Sequence, residues 1–156
     1  MIESGTYKGG SALYFASLMD LLGKGRVITM DIYVFPGLPN HPRITYLVGS
    51  STAADAASRV RAQIRPGETV MVVLDSDHSR DHVLKELQTY GPLVTSGSYL
   101  IVEDTNLNGH PADPTHGPGP MEAVQAYLAT TADFTPDRSR EKFMLTFNPN
   151  GYLKRR

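Results

Sequence analysis

Thr69-Val70-Met71-Val72-Val73-Leu74-Asp75-Ser76-Asp77-His78 is an unbroken, mostly apolar run that empties at once into acids, a serine and a histidine. A run with no polar alternation suits a parallel strand covered on both faces. Polar residues directly at its carboxyl end suit the side of an open α/β sheet on which ligands bind. Working outward, similar short runs occur at Val27–Ile32, Ile44–Val48 and Tyr99–Val102, with a stub at Met1–Ser4. Between them lie stripes at helical spacing: Ala12, Phe15, Met19 and Leu22; Ala56, Val60 and Ile64; Val83, Leu87 and Tyr90; Met121, Val124 and Leu128. Gly23, Pro66-Gly67 and Gly91-Pro92 close the first three stripes, and Pro120 opens the fourth at the favoured first helical position. Strands alternating with helices predict an α/β chain, Rossmann-like, with a mostly parallel, doubly wound sheet and helices on both faces. The segment Phe143–Phe147 and the Asn148-Pro149-Asn150-Gly151-Tyr152-Leu153 ending read as a strand, a turn and an extension, an antiparallel addition at the sheet edge.

The composition narrows the function classes. The 156 residues are enough for one domain spanning 1–156, with 40% apolar and 20% charged residues. A net charge of −1, with acids and bases spread along the chain, gives no electrostatic footprint for nucleic acid. The Lys154-Arg155-Arg156 ending reads as a solvated end. Absence of cysteine excludes disulfides, thiolate metal sites and cysteine nucleophiles. No apolar run approaches the ~20 residues of a membrane span, and Met1-Ile2-Glu3-Ser4-Gly5 lacks the features of a signal peptide. The expectation is a cytoplasmic protein without membrane or nucleic-acid partners.

Each expected strand ends in small or polar residues: Gly5, Asp31, Gly49-Ser50-Ser51, Asp75-Ser76-Asp77-His78 and Glu103-Asp104-Thr105-Asn106. Glu3-Ser4-Gly5-Thr6-Tyr7-Lys8-Gly9-Gly10-Ser11 is a glycine-rich turn into a helix, a setting in which backbone can approach a ligand closely. It matches neither the dinucleotide fingerprint nor the P-loop. Asp31 stands where an acid can accept hydrogen bonds from a ribose diol. Asp77, Glu103 and Asp104, at the ends of neighbouring strands, form a hard-oxygen set suited to Mg²⁺, Mn²⁺ or Ca²⁺. Adjacent strand residues point to opposite faces, so Glu103 and Asp104 can share an ion only if the chain turns there. The alternative is that these acids cap helices or face solvent, Asp75 among them as a capping or hydrogen-bonding residue. His78, His82, His110 and His116 are candidates for proton transfer, with His82 on a helix surface the weakest. Residues 105–120 form the one long irregular stretch, dense in Gly, Pro, Asn and His.

The Glu3–Ser11 turn, Leu74-Asp75-Ser76-Asp77-His78-Ser79, Val102-Glu103-Asp104-Thr105-Asn106, Gly117-Pro118-Gly119-Pro120-Met121-Glu122-Ala123 and Phe147-Asn148-Pro149-Asn150-Gly151-Tyr152-Leu153 together resemble the cephalosporin hydroxylase / rhamnosyl O-methyltransferase family. The resemblance covers essentially the whole chain. It implies a class I methyltransferase fold that binds S-adenosylmethionine and a divalent metal such as Mg²⁺, with a site like that of catechol O-methyltransferase. On that pattern Gly5, Tyr7 and Ser11 contact the methionine part of the cofactor, with Glu3 close by. Asp31 takes the ribose hydroxyls, and Ser50 or Ser51 and His78 lie near the adenine and sugar. Asp77, Glu103 and Asp104 hold the metal, Asp77 thus standing in both the metal and the cofactor set. The implied reaction is methyl transfer to a hydroxyl of a small molecule, a sugar or natural product.

Two departures stand out. A lysine or histidine often follows the metal aspartate by three positions as the base, and here that catalytic position is Arg80, which stays protonated. His78, a loop histidine or metal activation would then serve. Relatives also carry N-terminal cap helices before the glycine turn, and the sequence begins within the first expected strand. That reads as a minimal enzyme or part of a longer one, with exposed apolar surface for a homo-oligomer to cover. The competing readings are an oxidative, cephalosporin-hydroxylase-like component and a cofactor-binding module without catalysis.

Overall fold

A computed structural model describes residues 1–142 and 145–156. Internal contacts divide the chain into two compact units, Met1–Glu68 and Thr69–Arg156. No helix among the described residues is long and apolar enough to cross a membrane.

The first unit runs β1 (Ile2–Ser4), α1 (Gly10–Leu21), β2 (Val27–Asp31), β3 (Ile44–Val48) and α2 (Ala56–Arg61). Its three strands are parallel, with β2 in the middle: Ile2 lies opposite Ile28, and Val27 opposite Ile44. Val27, Ile28, Thr29 and Met30 are all buried, as an unalternating central strand requires. Against them α1 sets Ala12 and Ala16, whose small side chains bring the helix close to Val27; Met1, Phe15, Met19 and Ile44 fill in around them. The expected stripe runs one residue past the helix, because Leu22 is its C-cap and is exposed. Ile64 likewise falls beyond the end of α2.

The second unit runs β4 (Val72–Leu74), α3 (Arg80–Tyr90), β5 (Tyr99–Val102), α4 (Pro120–Leu128), β6 (Phe134–Pro136) and β7 (Tyr152–Arg155). β4 and β5 are parallel, β7 runs antiparallel to β5, and β6 antiparallel to β7. The antiparallel C-terminal strand is therefore present. The expected strand at Phe143–Phe147 is another matter: Phe143 and Met144 lie outside the described residues, and Leu145, Thr146 and Phe147 carry no strand. β4 begins later than the apolar run because the Val70 N–H donates to Thr95 Oγ1 at 2.9 Å. The Val70 carbonyl in turn accepts from the Thr95 N–H at 3.1 Å. A loop thus satisfies the backbone there in place of a ladder. α3 packs on α4 through buried Val83, Leu87 and Tyr90 on one side and Met121, Val124 and Tyr127 on the other. Each such side chain contributes roughly 1.5–3 kcal/mol on burial.

The approach of β7 to β5 depends on Gly151. The Val102 N–H donates to the Gly151 carbonyl at 2.9 Å, and a Cβ at Gly151 would collide with the Val102 carbonyl. Gly151→Ala is expected to cost about 1–3 kcal/mol in urea unfolding, the range of an overpacked interior. An unchanged midpoint would show that the strands separate without penalty.

Candidate active site

β4 and β5 each end in acids, and the local backbone decides which of them meet. The ligand atoms of Asp75, His78 and Asp104 all lie within 4.8 Å of one another. His78 Nε2 is 3.4 Å from Asp104 Oδ2 and 3.9 Å from Asp75 Oδ1. Glu103 belongs to the same neighbourhood. Partial burial raises its carboxyl pKa above the ordinary range, and the charges of Asp75 and Asp104 add to the rise. The required turn is made at Asp104, whose φ of 55° lies in the left-handed region. Asn148 holds it there: its Oδ1 accepts the Asp104 N–H at 2.8 Å, and its Nδ2 donates to Glu103 Oε2 at 2.6 Å.

Asp77 is placed differently. Its Oδ1 accepts the Ser79 N–H at 2.8 Å at the entry to α3, and the Ser79 donors hold its carboxyl below the usual range. Asp77 thus closes a local turn with Ser79, the N-cap residue of α3, and Asp75 stands in the cluster. Between them the Ser76 hydroxyl donates to the buried Glu86 at 2.7 Å. Arg80 is the first residue of α3, where its guanidinium pairs with Asp81 at 2.9 Å. His82 lies 3.2 Å from Ser76 Oγ and 3.6 Å from Glu86, and the Glu86 carboxylate raises its pKa.

The long stretch from Thr105 to Gly119 is pinned at both ends. Thr105 Oγ1 donates to the Pro149 carbonyl at 2.7 Å, and the Asn106 N–H donates to the Phe147 carbonyl at 3.0 Å. Glu122 takes the rest. Its Oε1 accepts Asn108 Nδ2 and meets His110 Nε2, both at 2.9 Å, and its Oε2 accepts the Gly119 N–H at 2.7 Å. Burial pushes this carboxyl up, yet the donors outweigh it and leave the pKa at about 2. His116 lies 3.2 Å from the Gly117 carbonyl.

The first unit carries the other candidates. Glu3 is buried on β1 and accepts from Thr29 Oγ1 at 2.6 Å; burial raises its pKa against the Thr29 and Ser11 hydroxyls. Gly5, at φ 90°, donates its N–H to the Met30 carbonyl. Tyr7, at φ 46°, donates its N–H to Asp31 Oδ2 at 2.8 Å, and Tyr33 donates to Asp31 Oδ1 at 3.1 Å. Asp31 thus spends one acceptor site on each oxygen locally and keeps the others. Ser50 Oγ lies 3.0 Å from Thr52 Oγ1, and Ser51 is buried. Asn148 and Glu122 went unassigned in the sequence reading, although an Asn-Pro-Asn-Gly turn and a glutamate three residues after Gly119 are visible there.

The arrangement is the α/β, Rossmann-like class I methyltransferase fold, and comparison bears this out. A MycE methyltransferase in complex with Mg, SAH and mycinamycin VI superposes with a TM-score of 0.59 at 22% identity, over 83% of this chain and 36% of that one. A Mg–SAM structure of CmcI gives 0.65 at 19%, over 99% of this chain and 63% of that one. At these identities the likeness is one of fold. A profile of the Rhamnosyl O-methyltransferase/CmcI family matches residues 1–156, and the chain belongs to that family. Rhamnosyl O-methyltransferases of Mycobacterium bovis and Mycobacterium tuberculosis are 42% identical over 99% of the chain, which spans 66% of their length. That of Mycobacterium leprae is 42% identical over the whole chain, which spans 71% of it.

The depressed Glu122 pKa fixes the sign of an acid response. Its stabilising effect is complete above the unfolded value of 4.5 and is lost as pH falls towards about 2. The wild type should lose on the order of 2–3 kcal/mol more than Glu122→Gln across that window in pH-resolved urea unfolding. Parallel curves for the two proteins would refute the clamp.

Proposed function

We propose that the chain is an S-adenosylmethionine-dependent, divalent-metal-assisted O-methyltransferase acting on a hydroxyl of a sugar or natural product, a rhamnosyl hydroxyl being the first acceptor to try. The observation that carries this reading is the meeting of Asp75, His78 and Asp104, with Glu103 near enough to feel the charges of both aspartates. The donor set fits a hard cation, because the charges of Asp75 and Asp104 add to the raised proton affinity of Glu103 and a divalent ion among the three would relieve that repulsion. Support comes from the rhamnosyl O-methyltransferase relatives and from the Mg, SAH and SAM complexes of the fold neighbours.

Asp75, Glu103 and Asp104 would hold the cation, with Asp77 left in the turn it closes with Ser79. A cation there supplies Lewis acidity that makes a substrate hydroxyl easier to deprotonate, and S-adenosylmethionine supplies the methyl group. Glu3, Gly5, Tyr7, Ser11, Asp31, Ser50 and Ser51 would bind that cofactor. His78 is the group placed to take the hydroxyl proton, since its Nε2 lies 3.4 Å from Asp104 Oδ2 and 3.9 Å from Asp75 Oδ1, beside the proposed cation. Arg80, always charged and turned to Asp81, orients rather than accepts a proton.

Titration calorimetry with Mn²⁺ and with S-adenosylmethionine tests the assignment. Asp75→Asn and Asp104→Asn should each weaken Mn²⁺ binding by at least about tenfold and abolish methyl transfer, while Asp77→Asn keeps Mn²⁺ affinity. Loss of affinity on Asp77→Asn, with Asp75→Asn unaffected, would return the metal to Asp77. Cofactor binding without transfer to any hydroxylated acceptor would favour a binding module.

A further inference from the structure

A costly buried group of the second unit lies outside the acidic cluster. Glu86 sits in the middle of α3 with no exposed surface, and its Oε2 has no hydrogen-bond partner. A buried carboxylate with one oxygen unsatisfied destabilises a fold unless something else depends on it, and an apolar side chain would fill the position at lower cost. Its other oxygen has a specific task. Oε1 accepts the Ser76 hydroxyl at 2.7 Å, and His82, one helical turn earlier on the same face, lies 3.2 Å from that hydroxyl and 3.6 Å from the carboxylate. Ser76 is the residue between Asp75 and Asp77. Ser76 forms the bend that follows β4, and tying its hydroxyl to α3 fixes the backbone from which Asp75 meets Asp104 and His78.

We infer that Glu86 and His82 are positioning residues that act through the Ser76 hydroxyl to aim Asp75 into the cation site. The inference rests on the metal reading above. Neither residue touches the cation or the substrate. They hold the bend from which Asp75 meets Asp104 and His78, as outer groups elsewhere orient metal ligands they never touch.

Mn²⁺ calorimetry on the full chain, well below each variant's melting temperature, tests this. Ser76→Ala should weaken Mn²⁺ binding by about tenfold, and Ser76→Thr, which keeps the hydroxyl, should restore it. Glu86→Met removes the buried charge together with the acceptor. It should melt at or above the wild-type temperature and still bind Mn²⁺ more weakly, a combination that a merely structural role would not produce. A folded Ser76→Ala or Glu86→Met with wild-type affinity, alongside an Asp104→Asn that has lost it, overturns this inference alone. If Ser76→Ala does not fold, Glu86→Met decides the question. Wild-type affinity in Asp104→Asn overturns the metal reading and this inference with it.

Discussion

The acidic cluster depends on one side-chain amide. Asn148 accepts the Asp104 N–H with its oxygen and donates to Glu103 with its nitrogen, so a single planar group fixes a main-chain turn and a carboxylate together. That pairing lets Asp104 keep a φ of 55°, which residues other than glycine seldom adopt. It also supplies Glu103 with a donor in a place where burial works against its charge. Asn148 is itself held by the turn it opens: the Gly151 N–H donates to its carbonyl, and the following strand, β7, lies against β5. The Asn-Pro-Asn-Gly turn, the antiparallel strand and the acids at the end of β5 are therefore one mechanical assembly.

Three glutamates show how the count of donors decides the state of a sheltered carboxyl. Glu3 and Glu103 each have few donors, and burial wins, raising their pKa values. Glu122 has donors on both oxygens, from Asn108, His110 and Gly119, and its pKa falls to about 2 in spite of its burial. All three carry a desolvation cost. The difference lies in whether the surrounding chain aims N–H and O–H groups at the oxygens.

Much of this could be read in the sequence where a local pattern and its borders agreed. β3 and β5 fall on their apolar runs, Ile44–Val48 and Tyr99–Val102, because turn residues bound both. β4 is shorter than its run because Thr95, distant in sequence, takes the hydrogen bonds of Val70. β6, only Phe134-Thr135-Pro136, carries no periodicity and ends in a proline that only an edge tolerates. Within the site, Glu103 and Asp104 were legible as acids at a strand end. Asp75 and Asp77 flank one serine and look equivalent in a linear reading. Only the fold shows that Asp75 meets Asp104 and His78 and that Ser76 is bonded to Glu86, a contact that crosses from helix to turn and leaves no trace at the spacing of the acids. The family, by contrast, was legible from long motifs that do not require knowing which way any one side chain points.

The Glu122 clamp has a consequence for how such a chain can diverge. Asn106, Asn108, His110 and Gly119 fix where the long loop leaves and returns, and between them Asp113 and Thr115 close a small turn of their own at 2.7 Å. The tip therefore behaves as a replaceable cassette. Residues 113–116, beyond the bonds that tie Ala112 to Asn106 and Gly109, can accumulate substitutions, or lengthen, without transmitting displacement to the acids of β4 and β5. A lineage can then explore new molecular neighbours through the tip in small heritable steps while the reactive core remains under separate selection.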